Sequence, residues 1–307
     1  MAGHAASIYV EIEILGPLDQ VWMRTQAPEL HEKWDLRFSE IRYLPRPDAL
    51  LPQRFLYATR IGFGLKIRGE GESVGSGGNG DERSSALKFW SEDPKSLIRE
   101  GSGFWKYVKL DEHATRFLTR YDYDVRFGVV GRLVDRWAFR PLIGWATAWS
   151  FDRLRLWIEK GIEPALAMRR WLIYLLSRLA LGFVFVYQGL VPKILFRHAD
   201  ELAMVRALGL SESGSGWVCV GIGCAEVVLG FLVMLAWRLR WPIWLILVAM
   251  PAAAIAVAVN SPGYLAAAFN PISLNVSVFA LAAIVLLGGG DLPSAARCLR
   301  RPLRGDE

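Results

Sequence analysis

The sequence predicts an α+β domain followed by an all-α bundle of four transmembrane helices. Three observations carry that division. Residues 1–170 hold 49 of the charged side chains, whereas residues 171–290 hold only ten: Arg178, Lys193, Arg197, Asp200, Glu201, Arg206, Glu212, Glu226, Arg238 and Arg240. In the first part apolar residues alternate with period two between turn signals, the mark of half-buried strands. In the second they run on for roughly 20 residues at a time, the length a helix needs to cross a bilayer. With 307 residues and 53% hydrophobic content, the chain exceeds one core. The boundaries read as 1–161 for the first domain, 162–170 for a short linker, 171–290 for the membrane domain and 291–307 for a basic tail.

Taken in order, SIYVEIEI alternates and stops at Gly16 and Pro17, giving the first strand. PLDQVWMRT and PELHEKW each open with proline, suited to the first position of a helix, and predict two short helices. Six strands follow in SEIRYL, QRFLYATRI, LKIRGEGESVG, SALKFWSED, LIREGSGFWKYVKL and ATRFLTRYDYDVRF. GSGGNGDERSS lies between strands and opens no helix, so it is a hairpin tip and no phosphate cradle. Val129–Gly161 reads as a long helix interrupted at Pro141.

Strand, two small helices, a meander of about six strands and a long final helix is the order of the helix-grip fold. Over residues 7–161 this order and the PLDQVW start resemble the START-like family, also known as the SRPBCC or polyketide cyclase and lipid-transport superfamily. The resemblance implies a curved antiparallel sheet gripping the long helix around a hydrophobic-ligand cavity. Candidates for its lining are Phe89, Trp105, Tyr121 and Tyr123 on strands and Trp137, Trp145 and Trp149 on the helix, whose broad apolar faces suit a greasy ligand and equally suit an ordinary core.

The four membrane spans are read at about Trp171–Val191, Trp217–Trp237, Trp241–Val259 and Ile272–Gly288, several of them ending in Trp or Tyr as at a lipid interface. Eleven Lys and Arg flank one side (Arg153, Arg155, Lys160, Arg169, Arg170, Arg238, Arg240, Arg297, Arg300, Arg301, Arg304) and three the other. By the positive-inside rule the first domain and the tail are cytoplasmic. The opening MAGHAASIYVEIEI shows no basic-then-apolar leader, which agrees. The +6 net charge is spread over all parts, so no nucleic-acid face is expected. Trp157, Arg155, Arg169 and Arg170 are expected at the headgroups.

Two ionisable residues lie well inside predicted spans, Arg178 and Glu226. Charges there are costly and normally pair or line a path. Cys219, Gly223, Glu226 and Gly230 share one helix face of small residues, which should pack on a neighbour. An Arg178–Glu226 ion pair between the first two spans is therefore expected, as a structural lock or with Glu226 taking up protons or a polar head. Alternatively Arg178 snorkels to the surface and leaves Glu226 to Asn275, Gln188 or protonation. Gln188, Lys193 and Asn275, with Glu226, are also candidates for a polar pocket open to the outer leaflet.

YQGLVPKILFRHADELAMV after the first span and CAEVVLG in the second resemble the DoxX-like family over about residues 170–290. That resemblance implies a bacterial inner-membrane protein of four helices, with relatives linked to sulfur metabolism and membrane redox complexes. No flavin, haem or iron–sulfur ligand set appears in the chain. No CxxC is present, Cys219 and Cys224 are five apart on one helix and cannot bridge, and His198, Asp200 and Glu201 match no metal spacing, so no metal site is expected.

The favoured reading is a binding or accessory protein with no cofactor of its own, its first domain holding a lipid or other hydrophobic small molecule and its second serving as a membrane anchor among lipids. The alternative is a membrane subunit that binds quinone for a redox partner protein. Enzymatic action is weakened by a first domain offering only His4, His31 and His113, with no visible acid–base constellation.

Overall fold

The computed structural model describes residues 7–48, 51–62 and 64–302; His4 and Arg304 lie outside the described residues. The chain divides into two compact units, Met1–Met168 with Pro293–Glu307, and Arg169–Leu292.

The first unit opens with β1 (Ile8–Ile14), then α1 (Leu18–Gln26) and α2 (Pro28–Trp34). The remaining strands are β2 (Glu40–Tyr43), β3 (Gln53–Gly62), β4 (Leu65–Gly78), β5 (Glu82–Trp90), β6 (Ile98–Asp111) and β7 (Ala114–Val125). All seven form one antiparallel sheet in the order β1-β7-β6-β5-β4-β3-β2. The register brings Val10 opposite Thr119 and Ile12 opposite Phe117, and Trp105 and Tyr107 opposite the same two β7 residues on the other side. Alternation therefore delivers one continuous inner face. Trp34, Tyr107, Phe117 and Phe151 are fully buried there, with Phe117 stacked between Tyr107 and Phe151 at centroid distances of 4.9 and 4.3 Å.

Helices α3 (Gly128–Val134) and α4 (Arg140–Lys160) complete the unit. The interruption expected at Pro141 is a π turn over Asp135–Phe139, with the proline just inside α4. Pro141 cannot donate to the carbonyl four residues back, and the turn before it widens instead. Gly161, at φ 65°, ends α4 in the left-handed conformation that glycine adopts without strain. Helix α4 is itself buried on nearly every face from Thr147 to Leu156, because the sheet covers one side and the returning tail another. The Ser294 amide donates to Asp152 (2.8 Å), the Cys298 thiol donates to the Ala148 carbonyl (3.2 Å), and Leu299 pairs with Glu11 through two backbone bonds of 2.9 Å. This is a seven-stranded antiparallel sheet closed over a long helix, the helix-grip architecture that the element order predicted.

The second unit contains α5 (Pro164–Gln188), widened into a π turn over Gly189–Leu195 at Pro192, then α6 (Ala199–Arg206), α7 (Glu212–Leu235), α8 (Trp241–Asn260) and α9 (Pro271–Gly288). Pro164–Leu195, Glu212–Leu235, Trp241–Asn260 and Pro271–Gly288 are long and apolar enough to cross a membrane. The first starts earlier than the sequence suggested, because Pro164 opens the helix as soon as Gly161 has closed α4. The stripe of small residues on α7 packs as its spacing implied: a side chain at Gly230 would meet the Gly182 carbonyl at 2.7 Å, and one at Gly223 the Gly189 carbonyl at 2.7 Å. Leu181, Phe185, Val233, Ile243, Ile246, Val278, Ala282 and Val285 join the four spans in one apolar core.

Candidate functional site

Between the sheet and the helices of the first unit lies a cavity of about 150 Å³. Its aromatic wall is built by strand pairing. Phe55 and Tyr57 of β3 lie opposite Gly71 and Gly69, Phe89 opposite Gly101, and Tyr121 opposite Gly103. The Phe55, Tyr57 and Phe89 rings each rest over the facing glycine, where a Cβ would strike them, so these three rings lie down across the sheet and leave space above them. The polar end combines Gln26 from α1, His31 from α2, Arg37, and Thr119 and Tyr121 from β7.

That end contains a cluster that the sequence reading missed. His31 Nε2 lies 3.0 Å from Asp35 Oδ2. Arg37 grips the same carboxylate through Nε to Oδ1 (3.0 Å) and Nη2 to Oδ2 (2.7 Å), and its backbone amide donates to Oδ1 (3.0 Å). Asp35 is fully buried. Burial alone would raise its pKa, but the Arg37 charge and the hydrogen bonds from His31 and Arg37 outweigh that and hold the carboxyl well below the usual range. Burial lowers the His31 pKa, opposed in part by Asp35. A neutral ring that donates from Nε2 to the carboxylate leaves Nδ1 as an acceptor. The ring stacks on Trp34 at 5.0 Å and meets Trp105 edge-on at 4.9 Å, so it is held rigidly. The signal was present in the sequence as His31 and Asp35 one helical turn apart, with Arg37 two residues on.

A second polar chain runs beside it. The Tyr107 hydroxyl contacts Thr25 Oγ1 (2.7 Å) and accepts from Gln26 Nε2 (2.9 Å), and Ser85 donates to Gln26 Oε1 (3.3 Å). Burial pushes the Tyr57 phenol up to about 12, so it stays protonated. The cavity thus offers an apolar, aromatic body and one end with hydrogen-bonding groups, the arrangement an amphiphile requires.

Of the aromatic residues expected to line it, Phe89, Trp105 and Tyr121 do. Tyr123, Trp137, Trp145 and Trp149 do not. The helix contributes Ile143 to the cavity, while Thr147 bonds the Tyr121 hydroxyl (2.9 Å); a 3.6-residue period turns Trp145 and Trp149 off that line. Trp149 is buried under the Arg153 guanidinium (5.4 Å). Trp137 is 77% exposed, and the Tyr123 hydroxyl donates to Asp135 (2.7 Å).

In the membrane unit the expected Arg178–Glu226 pair does not form. Arg178 instead caps the end of α7, donating to the carbonyls of Val233 (2.6 Å), Ala236 (3.2 Å) and Trp237 (3.4 Å) and to the Tyr174 hydroxyl (2.7 Å). The last carbonyls of a helix have no partner within it, and they compete for the guanidinium about two turns, or ~10 Å, before Glu226 is reached. Glu226 pairs with Lys193 (2.9 Å), which also faces Glu201 (3.5 Å) and the Gln188 backbone carbonyl (3.4 Å). The π turn at Pro192 is what turns Lys193, buried at 9% exposure, onto the α7 face at Gly223. Of the expected polar pocket, Lys193 and Glu226 therefore meet; the Gln188 side chain and Asn275 make no hydrogen bond with them among the described residues.

The groups expected at headgroups also divide. Arg155 is engaged by Asp152 (2.6 Å) and Glu159 (2.5 Å), and Trp157 lies under Arg24 (4.9 Å); both are used inside the domain. Arg169 and Arg170 are exposed.

Residues 182–283 match the DoxX-like family. The uncharacterized membrane protein YndG of Bacillus subtilis (strain 168) is 51% identical over 183 residues, which cover 59% of this chain and 68% of that protein. Solved structures similar to the chain include a hypothetical protein, jhp0584, from Helicobacter pylori (TM-score 0.40, 19% identity, 52% of this chain and 90% of that one). Others are a START superfamily protein from Mycobacterium smegmatis (0.35, 14%, 46% and 91%) and the ZhuI aromatase/cyclase from Streptomyces sp. R1128 (0.35, 11%, 50% and 96%).

Proposed function

Because this chain belongs to the family of the Bacillus subtilis membrane protein YndG and carries a DoxX-like membrane unit, we propose that it is a membrane-anchored binding protein for a lipid or other hydrophobic small molecule. The ligand occupies the cavity of the START-like unit. The spans hold that unit at the bacterial inner membrane, with both termini in the cytoplasm.

The observation that carries this reading is the cavity itself: rings folded flat over glycines keep an apolar space open beside the His31, Asp35 and Arg37 cluster. An aliphatic or aromatic body fits the ring-lined part. A hydroxyl or similar donor on the ligand fits the acceptor nitrogen of His31.

Native mass spectrometry with lipid analysis on the full chain, purified from its own membrane, tests the reading. The comparison is Leu87→Trp, which fills the cavity from β5. The expected result is a small hydrophobic molecule retained by the parent and lost from Leu87→Trp, with the unfolding transition preserved. A quinone retained equally by both, and lost on Lys193→Met, would instead place binding in the membrane unit and favour a subunit of a redox complex.

A further inference from the structure

Between the last strand and the long helix, residues 127–142 expose an apolar surface. Phe127, Val129, Val130, Leu133, Trp137 and Leu142 are each more than half exposed. Scattered apolar residues are ordinary on a protein surface, but a contiguous group of this size marks a contact face.

The exposed charges within the segment have one sign. Arg132 and Arg136 are exposed, with the Arg136 guanidinium 5.8 Å from the Trp137 ring centre. The segment's single carboxylate, Asp135, is 4% exposed and accepts from Tyr123 (2.7 Å) and Arg140 (2.9 Å). The carboxylates just before it are engaged too, Asp122 by Arg140 (2.9 Å) and Asp124 by Arg99 (3.3 Å). Nor is the segment loosely held: Arg126 donates to the carbonyls of Ser91 and of Asp93 (3.1 Å). Gly131 sits so close to the Arg126 carbonyl that no side chain would fit.

We propose that residues 127–142 form a docking surface for an anionic lipid bilayer. Valine, leucine, phenylalanine and tryptophan beside arginine, with no exposed carboxylate within residues 127–142, match the boundary between acyl chains and acidic headgroups. The partner is at hand, since the same chain contains four helices long and apolar enough to cross a membrane. A second copy of the chain fits less well. A two-fold interface would set this patch against itself, bringing four arginines together with no exposed carboxylate of residues 127–142 to receive them.

The test uses the full chain in nanodiscs of zwitterionic or of anionic lipid, in a background lacking Cys219, Cys224 and Cys298. An environment-sensitive fluorophore is placed at Val130→Cys or Leu133→Cys, with Asp81→Cys at the β4–β5 hairpin as control, and the lipids carry a quencher on the acyl chain. Quenching is expected at 130 and 133 and absent at 81, stronger in anionic discs. Arg132→Gln and Arg136→Gln should each lower the docked-to-undocked ratio about fivefold, the worth of one basic side chain near such a surface. A fluorophore that is shielded but unquenched would show the face covered by protein, whether a second copy or this one, and would overturn the proposal. So would quenching indifferent to lipid charge and to both arginines. Neither outcome depends on what fills the cavity.

Discussion

His31, Asp35 and Arg37 show how much one buried carboxylate can organise. Asp35 accepts from four donor groups and fixes both the histidine ring and the arginine that face the cavity. Each titration has a definite sign. The folded His31 value lies below the ordinary ~6.5. The unfolded chain therefore binds a proton there first, and stability is complete above that value and declines as pH falls through the window beneath it. Asp35 adds a second decline at lower pH, since its folded value is also depressed and its contribution disappears only as pH falls through that value. Hydrogen-exchange protection of the β7 amides should therefore weaken between pH 7.5 and 5.5, by at most about 1.4 kcal/mol per pH unit. In His31→Gln that dependence should flatten. Protection unchanged over this range in the parent would refute the assignment of a neutral His31.

Helix α7 is read by its neighbours at two separate levels. Near its end Arg178 of α5 caps the carbonyls, and two turns earlier Lys193 pairs with Glu226, while the glycine contacts let the backbones approach. The two cationic side chains act on different groups, so their energies should be separable. In a double-mutant cycle measured by unfolding in detergent, Lys193→Met and Glu226→Gln should couple by about 1 kcal/mol or more, whereas Arg178→Met and Glu226→Gln should be additive within ~0.5 kcal/mol. Coupling of Glu226 to Arg178 instead would restore the pairing suggested by sequence. The elements themselves were legible, because periods of two and long apolar runs survive folding unchanged. The partners were not: counting residues from the ends of two helices places side chains by depth, but a π turn at Pro192 and the competing carbonyls at the end of α7 decide which group each cation meets. The same limit applies to α4, where tryptophans suited to a cavity by type lie off the line of Ile143 that faces it. His31 was passed over because its partners lie on the same short stretch and their convergence depends on the chain turning after Trp34.

At the scale of the whole chain, the residues before the first span and those after the fourth fold into one unit. Ser294 is bonded to Asp152, Arg297 approaches the same carboxylate at 3.6 Å, and Leu299 pairs with β1. A chain that leaves this unit and returns to it must cross the bilayer an even number of times, which four spans satisfy. Which side the unit occupies is decided by charge. Arg153, Arg155, Arg297 and Arg300 no longer count, since all four are engaged within the domain. Arg169, Arg170, Arg238, Arg240 and Arg301 remain on that side, whereas on the other Lys193 is neutralised by Glu226 and Arg206 by Glu212 (3.0 Å). The imbalance still favours the first unit in the cytoplasm. A fluorescent protein fused after Glu307 should therefore fold and fluoresce in the cytoplasm, and Ser213→Cys, which leaves the Ser211 cap of α7 intact, should react with an impermeant maleimide added to intact cells whose outer membrane has been opened. The reverse pattern would invert the orientation while keeping the fold. Labelling of Ser213→Cys and of a cysteine placed in the tail from the same side would mean an odd number of crossings between them has been lost, and with it one of the four spans.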